Sequence, residues 1–197
     1  MASTAHACRD WTELAAAAAG CRVCPELVAG RTQVVVGEAP PGSRLVLVGE
    51  APGAAEDESG HPFVGRSGQL LDRILGEVGL VRAEIAVLNV VKCRPPGNRT
   101  PRSAEVAACS GWLYRQLELI APELICTLGL SAAQRFLGRR AVLAAARGRV
   151  HLVEGRRLLA TYHPSAALRF GPRGEPLAAL RADLALVADL LRSDPER

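Results

Sequence analysis

Lysine is almost missing from this sequence, and aromatic residues are scarce. Lys92 is the only lysine among the 24 basic residues, so arginine carries nearly all of the positive charge. A compositional bias of the genome would produce this pattern, and so would selection for bidentate contacts with phosphate. The scarcity also leaves Lys92 as the single candidate for Schiff-base chemistry. Aromatic residues make up 4% of the chain, so an aromatic ring in a polar loop is informative.

Long apolar runs are missing as well. The alanine run at residues 15–19 is too short and too weakly apolar to span a membrane. No secretory signal is recognisable, so a cytoplasmic protein is expected. In that compartment, the six cysteines are expected to bind metal or to remain thiols rather than to form disulfides.

The apolar segments that are present alternate with helical patterns. Four runs have the composition of buried strands, at residues 45–48, 85–91, 124–129 and 158–162. The helical patterns between them predict a parallel sheet covered by helices on both faces. A short strand at residues 33–38 and a hairpin with its turn near Gly155 are also expected. With 49% hydrophobic residues, the chain suffices for one domain over residues 1–197, of which residues 1–9 are expected to be flexible.

Three polar residues follow core strands directly. Glu50, Asn89 and His163 lie at or just beyond the carboxyl ends of predicted strands. Those ends share one edge of a parallel sheet, where ligands bind, so we expect the three side chains to converge. The loop after the first strand is roughly twenty residues long, which indicates function. The loop carries three carboxylates, Glu50, Glu56 and Asp57, which would supply a general base, a water-holder or a metal ligand. The alternative is a solvated acidic loop in which Glu56 and Asp57 cap helices. Glu50, nearest the strand, is the best candidate for a chemical role.

Three other side chains near this edge have both a functional and a structural interpretation. Asn89 would offer a donor and an acceptor to a nucleobase, or it would bond to backbone within the core. His163 would donate a hydrogen bond to charge on a leaving group, or it would only cap and pack. Phe63 would stack on a base, or it would anchor its loop.

The cysteines include two pairs with the spacing of metal ligands. Cys21 and Cys24 form a C-x-x-C motif, and Cys93 and Cys109 form a second pair. Four thiolates suit zinc or an iron–sulfur cluster, and spacing does not choose between them. The alternative is that Cys93 and Cys109 are unpaired thiols. Cys126 lies within an apolar strand and is expected to be a core residue.

A mildly basic balance permits a nucleic-acid partner. The net charge is +4 and the pI is about 8.9. Five arginines near two Pro-containing loops are suitable for phosphate contacts: Arg94, Arg99, Arg102, Arg169 and Arg173. Leu168 and Phe170 flank Arg169 and would form a wedge that enters a duplex. The alternatives are solvated arginines and an ordinary apolar anchor.

Four motifs follow one another along the chain. They are Gly-Glu-Ala-Pro-Gly at 49–53, Pro-Phe-Val-Gly at 62–65, Asn-Val-Val-Lys-Cys-Arg-Pro-Pro at 89–96 and His-Pro-Ser at 163–165. Together they resemble the family 4 uracil-DNA glycosylases in order and spacing, over nearly the whole chain. The resemblance implies a three-layer α/β/α fold around a four-stranded parallel sheet. It implies a monofunctional enzyme that flips uracil out of DNA and hydrolyses its N-glycosidic bond, leaving an abasic site for base excision repair.

The resemblance also implies how uracil is recognised. Phe63 would stack on the base, and backbone at Ala51 would contact it. Asn89 would accept a hydrogen bond from N3 and donate one to O4, which selects against cytosine. Glu56 would crowd C5 and so reject the methyl group of thymine.

The remaining implied roles concern catalysis, DNA and metal. His163 would donate to O2 as the bond breaks, and Glu50 would orient the attacking water or support the cationic sugar. Leu168 would fill the gap left by the flipped base. A [4Fe–4S] cluster would be held by Cys21, Cys24, Cys93 and Cys109.

Two further expectations concern how the protein acts. A related class of these enzymes carries a histidine-bearing insertion and becomes trapped covalently on DNA. Residues 94–100 contain no histidine and no such insertion, which favours turnover. The expected partner is uracil-containing DNA, double- or single-stranded, bound by a monomer. The alternative function is a non-enzymatic nucleic-acid-binding module with a structural four-cysteine metal site and an idle pocket.

Overall fold

A five-stranded sheet forms the centre of the computed structural model, which describes residues 2–193, with side chains from residue 5 onward. The strands are β1 (Leu45–Gly49), β2 (Ala86–Asn89), β3 (Leu124–Leu128), β4 (Val150–Val153) and β5 (Arg156–Thr161). Their order is β2-β1-β3-β5-β4. The first four in this order are parallel, which confirms the predicted sheet. The predicted hairpin adds β4 as an antiparallel edge strand, so the sheet has one strand more than expected.

Helices cover both faces of the sheet. Residues 2–193 contain α1 (Ala2–Ala7), α2 (Trp11–Ala19), α3 (Pro25–Gly30), α4 (Ala54–Ser59), α5 (Arg66–Glu77), α6 (Ser103–Ile120), α7 (Leu130–Leu137), α8 (Leu143–Ala146), α9 (Pro164–Phe170) and α10 (Glu175–Arg192). Val46 and Val48 of β1 face a core that α2 and α6 complete, whereas Leu45 and Leu47 face one formed with α5 and α10. Alternate residues of one strand therefore serve two cores, and the three-layer α/β/α architecture is confirmed. No described helix has the length and apolar character needed to cross a membrane.

The predicted strand at residues 33–38 does not form. Glu38 forms an isolated antiparallel bridge with Val87, and the backbone N–H of Val35 donates to the carbonyl of Lys92 at 2.8 Å, but no continuous ladder joins the two contacts. Gly37 has a φ of +114°, which ends the extended conformation, and the carbonyl of Val36 accepts a hydrogen bond from the side chain of Gln116 instead of from a strand. A tertiary contact has overridden the β propensity of a valine run.

The N-terminal residues contain a short helix. Ala2–Ala7 is helical, with Ala5 fully buried, whereas Met1 lies outside the described residues; the expected flexibility of residues 1–9 stays a prediction. The backbone carbonyl of Cys8 accepts two hydrogen bonds from the guanidinium of Arg115, at 2.9 and 2.7 Å. Alanine favours helix, and packing against α6 and α2 supplies the stability that so short a helix lacks alone.

The strand register brings the predicted site residues to one edge. Gly49 pairs with Asn89, so the carboxyl ends of β1 and β2 are level. The backbone N–H of Gly129, after β3, donates to the carbonyl of Thr161 at the end of β5. His163 follows two residues later and lies beside Gly129. The edge of the sheet therefore gathers the three polar residues, as parallel pairing requires.

Candidate active site

A cavity of about 660 Å³ opens at this edge of the sheet. Every residue expected to bind uracil lines it, namely Ala51, Glu56, Phe63, Asn89 and His163, and so does the predicted catalytic residue Glu50. Its volume is within the range of small-molecule sites, and its walls combine apolar surface with a few polar groups. The arrangement suits a flat heterocycle, which needs one stacking face and polar partners at its rim.

Phe63 is held rigidly in the cavity wall. Its φ is +56°, in the left-handed region that non-glycine residues avoid, and its side chain is buried. Two glycines make room for it. A Cβ on Gly49 would lie 2.6 Å from a ring carbon of Phe63, and a Cβ on Gly68 would lie 1.6 Å from its carbonyl oxygen. The ring lies 5.6 Å from the His163 ring, centroid to centroid, so the two define adjacent sides of the cavity.

Asn89 has a buried acceptor that the rest of the described chain leaves unused. The side chain is 2% exposed, and its Oδ1 atom has no hydrogen-bond partner among the described residues. Leaving a buried polar atom unpaired costs about 1–3 kcal/mol, so such an atom requires an explanation. Because Asn89 lines the cavity, a ligand with an N–H group would satisfy it.

His163 is held as a neutral imidazole. Burial lowers the pKa of His163 to about 4, against a smaller opposing effect of the Glu56 charge. The backbone N–H of Ser165 donates to Nδ1 at 3.1 Å, with the Ser165 hydroxyl 2.8 Å from the same atom. Nδ1 is therefore an acceptor, which leaves the proton on Nε2 in the neutral ring. His163 can present one N–H donor to a ligand.

The acidic residues of the long loop have different tasks. Glu56 accepts three backbone N–H groups: Gly53 donates to Oε2 at 3.1 Å, and Val64 and Gly65 donate to Oε1 at 3.0 and 2.8 Å. Glu56 therefore ties the two ends of the loop together, which agrees with the helix-cap interpretation. The buried Asp57 accepts from the backbone N–H of Thr32 at 2.9 Å. Glu50 lines the cavity at the end of β1.

Arg99 does not have the free guanidinium that a phosphate contact needs. It donates to both carboxylate oxygens of Glu105, at 2.7 and 2.9 Å, and to Glu26 at 3.2 Å. These hydrogen bonds raise the pKa of Arg99 above its ordinary value. Arg102 pairs with Glu26 as well. Arg99 thus joins the basic loop to α3 and α6, and it also lines the cavity. The predicted phosphate contact at Arg99 stays a prediction, which these internal ion pairs disfavour.

Other cationic and apolar side chains remain exposed near the cavity. Arg94 donates to the neutral amide of Asn98 at 2.7 Å, so its charge is not compensated there. Leu168 and Phe170 are 39% and 65% exposed on α9, with the Arg169 guanidinium 6.0 Å from the Phe170 ring centroid. Exposed apolar side chains on a short helix that begins at the cavity fit the wedge interpretation rather than the core-anchor interpretation.

Two exposed side chains are notable among the cavity residues that were not predicted from the sequence. Arg66, the first residue of α5, is exposed and lines the cavity, and it has no ion pair with any described carboxylate. Leu130 begins α7, lines the cavity and is also exposed. Each follows a glycine that ends a loop at the carboxyl edge of the sheet. That position was the available signal in both cases.

The four cysteines predicted to bind metal lie in one part of the core. Cys93 and Cys109 are buried, and Cys21 and Cys24 pack against the same cluster. Burial raises the pKa of Cys109 to about 11 and raises the pKa values of Cys24 and Cys93. The charges of Cys21 and Cys93 raise the pKa values of Cys24 and Cys109 further, so the four sulfurs are within electrostatic range. Cys126 is buried in β3, as predicted.

Two N–H groups donate to sulfurs of these cysteines. Arg31 donates from Nη1 to the sulfur of Cys93 at 2.8 Å, and the backbone N–H of Lys92 donates to the sulfur of Cys109 at 3.3 Å. N–H···S contacts of this kind support sulfur ligands. Within residues 2–193, no group of three or more His, Cys, Asp or Glu side chains is arranged to hold a metal ion. The binding of metal by the four cysteines therefore stays a prediction.

Known proteins with similar sequences identify the family. A model described as the uracil DNA glycosylase superfamily matches residues 36–185. A type-4 uracil-DNA glycosylase of Thermotoga maritima is 46% identical over 151 residues, covering 76% of this chain and 78% of that protein. One of Saccharolobus solfataricus is 38% identical over 184 residues, covering 89% and 83%. A type-5 uracil-DNA glycosylase of Mycobacterium leprae is 34% identical over 204 residues, covering 83% of this chain and 89% of that protein. The chain belongs to the uracil DNA glycosylase superfamily and, within it, to the type-4 uracil-DNA glycosylases.

Proposed function

We propose that the protein is a monofunctional uracil-DNA glycosylase, which hydrolyses the bond between uracil and deoxyribose in DNA. The observation that carries this proposal is the unpaired, buried Oδ1 of Asn89 in a cavity that Phe63 and His163 also line. An orphan acceptor beside an aromatic ring and a neutral N–H donor matches the edge and face of a flipped pyrimidine.

Asn89 distinguishes uracil from cytosine by the direction of its hydrogen bonds. In uracil, N3 carries a proton and O4 is an acceptor, so Asn89 Oδ1 accepts from N3 and the amide group donates to O4. In cytosine, N3 is an acceptor and the amino group at C4 is a donor. Both contacts would then oppose like groups, and the buried amide would stay unpaired.

Stacking and shape complete base recognition. Phe63 presents its ring to the base, and stacking of this kind contributes about 1–3 kcal/mol. Backbone at Ala51 contacts the same base. The carboxylate of Glu56, fixed by three backbone N–H groups, stands beside C5 and leaves no space for the methyl group of thymine.

His163 stabilises the leaving group. The bond between C1′ and N1 breaks with its electron pair on uracil, and negative charge develops on O2. The Nε2–H of the neutral imidazole donates a hydrogen bond to that oxygen without transferring its proton, because an imidazole whose pKa is about 4 is already in its neutral form. Preorganised donors of this type contribute most when charge develops away from water.

Glu50 acts on the other product. Its carboxylate supports the cationic sugar and orients the water whose oxygen bonds to C1′, and the proton of that water passes to solvent or to uracil. No strand cleavage follows, because a Schiff base needs an accessible lysine. Lys92, the only lysine in the sequence, is 1% exposed. The product is an abasic site.

DNA outside the cavity is held by charge and by a wedge. We propose that Arg94, Arg169 and the newly identified Arg66 contact phosphates, since each is without a carboxylate partner in the described chain. Leu168, with Phe170 beside it, fills the gap that the flipped base leaves in the stack. Arg99 holds the basic loop in place and does not contact DNA.

Cys21, Cys24, Cys93 and Cys109 would hold a [4Fe–4S] cluster in this proposal. The four side chains pack in one cluster of the core, and the sulfurs of Cys93 and Cys109 accept N–H hydrogen bonds, which supports a site held by thiolates. When bound, the cluster supplies a structural cross-link. The residues it would join belong to the segment before α3, the loop after β2 and helix α6.

The test is cleavage of a duplex with a single uracil, followed by alkali to break abasic sites. We expect strand breaks with uracil and none with cytosine or thymine at the same position. Asn89→Ala should reduce kcat/KM by about a hundredfold or more with little change in Tm. Intact DNA at stoichiometric enzyme would reject the enzymatic function and leave the binding-module alternative. Iron and sulfide analysis tests the cluster, and a colourless, zinc-containing protein would exclude it.

A further inference from the structure

Lys92 is buried in a place where a charge is costly. The side chain is 1% exposed, and it is the only lysine in a chain whose other cations are arginines. Its Nζ atom donates to the backbone carbonyl of Asn89 at 2.7 Å, and its backbone N–H donates to the sulfur of Cys109. One residue therefore contacts both the base-reading strand end and the four-cysteine site.

The contact with Asn89 fills a gap at the edge of the sheet. On the outer side of β2, Val87 exchanges two backbone hydrogen bonds with Glu38. Asn89 lies two residues further and faces the same side, so a continued ladder would pair it with Val36. Gly37 interrupts that ladder, and Gln116 takes the carbonyl of Val36. The ammonium of Lys92 supplies the partner that the carbonyl of Asn89 would otherwise lack.

A second cation stands beside the cysteines. Arg31 donates from Nη1 to the sulfur of Cys93 at 2.8 Å and from Nη2 to the backbone carbonyl of Cys21. Lys92, by contrast, contacts Cys109 through its backbone N–H and Asn89 through its side chain. Of these two cations, Lys92 is the one that joins the four-cysteine site to the end of β2.

We propose that Lys92 is a positioning residue that couples the four-cysteine site to base reading, because it fixes the backbone of Asn89 and so aims the Asn89 amide into the cavity. This inference rests on the proposed function. Loss of the Lys92 ammonium should misplace the amide while the cavity itself survives. Loss of Arg31 removes a similar charge beside the cysteines without touching Asn89, so Arg31→Met is the matched control.

The experiment compares Lys92→Met with Arg31→Met in the cluster-loaded protein. The readout is the ratio of dissociation constants for two duplexes, one with 2′-fluoro-deoxyuridine, which resists hydrolysis, and one with 2′-fluoro-deoxycytidine. We expect Lys92→Met to lower the preference for uracil by about tenfold, as for loss of a charge-assisted hydrogen bond. Arg31→Met should keep it. An unchanged ratio in Lys92→Met, or equal losses in both variants, would overturn the inference.

A measurement on the unmodified protein covers the case in which Lys92→Met fails to fold. Because the chain has one lysine, labelling with ¹⁵N-lysine gives a single Nζ signal. A buried, hydrogen-bonded group should exchange slowly with water and should shift when the 2′-fluoro-deoxyuridine duplex binds, with a smaller shift for the cytidine duplex. A rapidly exchanging signal, or equal shifts, would contradict the proposed coupling. If the wild-type protein itself showed no preference for uracil, the proposed function would fail instead.

Discussion

Gly49→Ala should damage base recognition more than it damages the fold. Gly49 ends β1 beneath the cavity, where an added Cβ would lie 2.5 Å from Oδ1 of Asn89 and 2.6 and 2.8 Å from two ring carbons of Phe63. Such distances are shorter than any real contact allows, so the amide or the ring must move. Phe63 cannot retreat easily, because its carbonyl is packed against Gly68 at the start of α5.

The expected loss follows from the two contacts at risk. Overpacking of a filled site costs about 1–3 kcal/mol, stacking on a base contributes about 1–3 kcal/mol, and one hydrogen bond contributes about 1 kcal/mol. A partial loss of these contacts amounts to about 2–4 kcal/mol in transition-state binding. We therefore expect kcat/KM to fall by roughly 30- to 1,000-fold, with a decrease in Tm of only a few degrees.

The assay is single-uracil cleavage under kcat/KM conditions, together with thermal unfolding. Gly76→Ala is the matched control, since a Cβ there meets nothing within 4 Å and Gly76 lies within α5. That control should keep its activity and should gain up to about 1 kcal/mol of stability from helix propensity. A Gly49→Ala enzyme with kcat/KM within about threefold of wild type would refute the claim that Phe63 and Asn89 act on one ligand.

Three further results are expected. The pKa of His163 is about 4 in the folded state, below the ordinary value of about 6.5, so the unfolded state takes up the proton first as pH falls. The free energy of unfolding should therefore fall as pH drops from about 6.5 to 4, by at most about 3 kcal/mol. Urea unfolding of His163→Gln over the same pH range should not show that loss. Arg99→Met should lower Tm and leave the salt dependence of DNA binding unchanged. Arg66→Ala should reduce, by about one, the slope of the logarithm of the DNA-binding constant against the logarithm of the salt concentration. Leu168→Ala should lower kcat/KM on duplex substrate more than on single-stranded substrate, which has no gap to fill; equal losses would contradict the wedge.

The sheet and the location of the site could be predicted because both follow from local patterns. Each core strand is a short apolar run, and parallel strands place their carboxyl ends at one edge. A polar residue directly after such a run must therefore face the site or find a partner inside the protein. Asn89 was detectable for this reason, since an amide is conspicuous at the end of an apolar strand.

Arg99 shows what local patterns do not contain. Its neighbours in sequence are prolines, arginines and a threonine, which suggest a basic loop that faces DNA. Its partners are Glu105, on the next helix, and Glu26, which is 73 residues away. An ion pair between distant segments depends on the packing of whole elements, so a free and a neutralised arginine look identical in sequence.

Lys92 shows the same limit of local patterns. The sequence offers it as the single lysine and gives no reason to expect Schiff-base chemistry, and its burial agrees with that. Its contacts with Asn89 and Cys109 are not visible in the sequence. These contacts join a residue on the loop after β2 to the carbonyl of Asn89 and to a cysteine of helix α6. Such a role depends on how a whole strand end packs against a helix, so it has no counterpart in the local sequence pattern around Lys92.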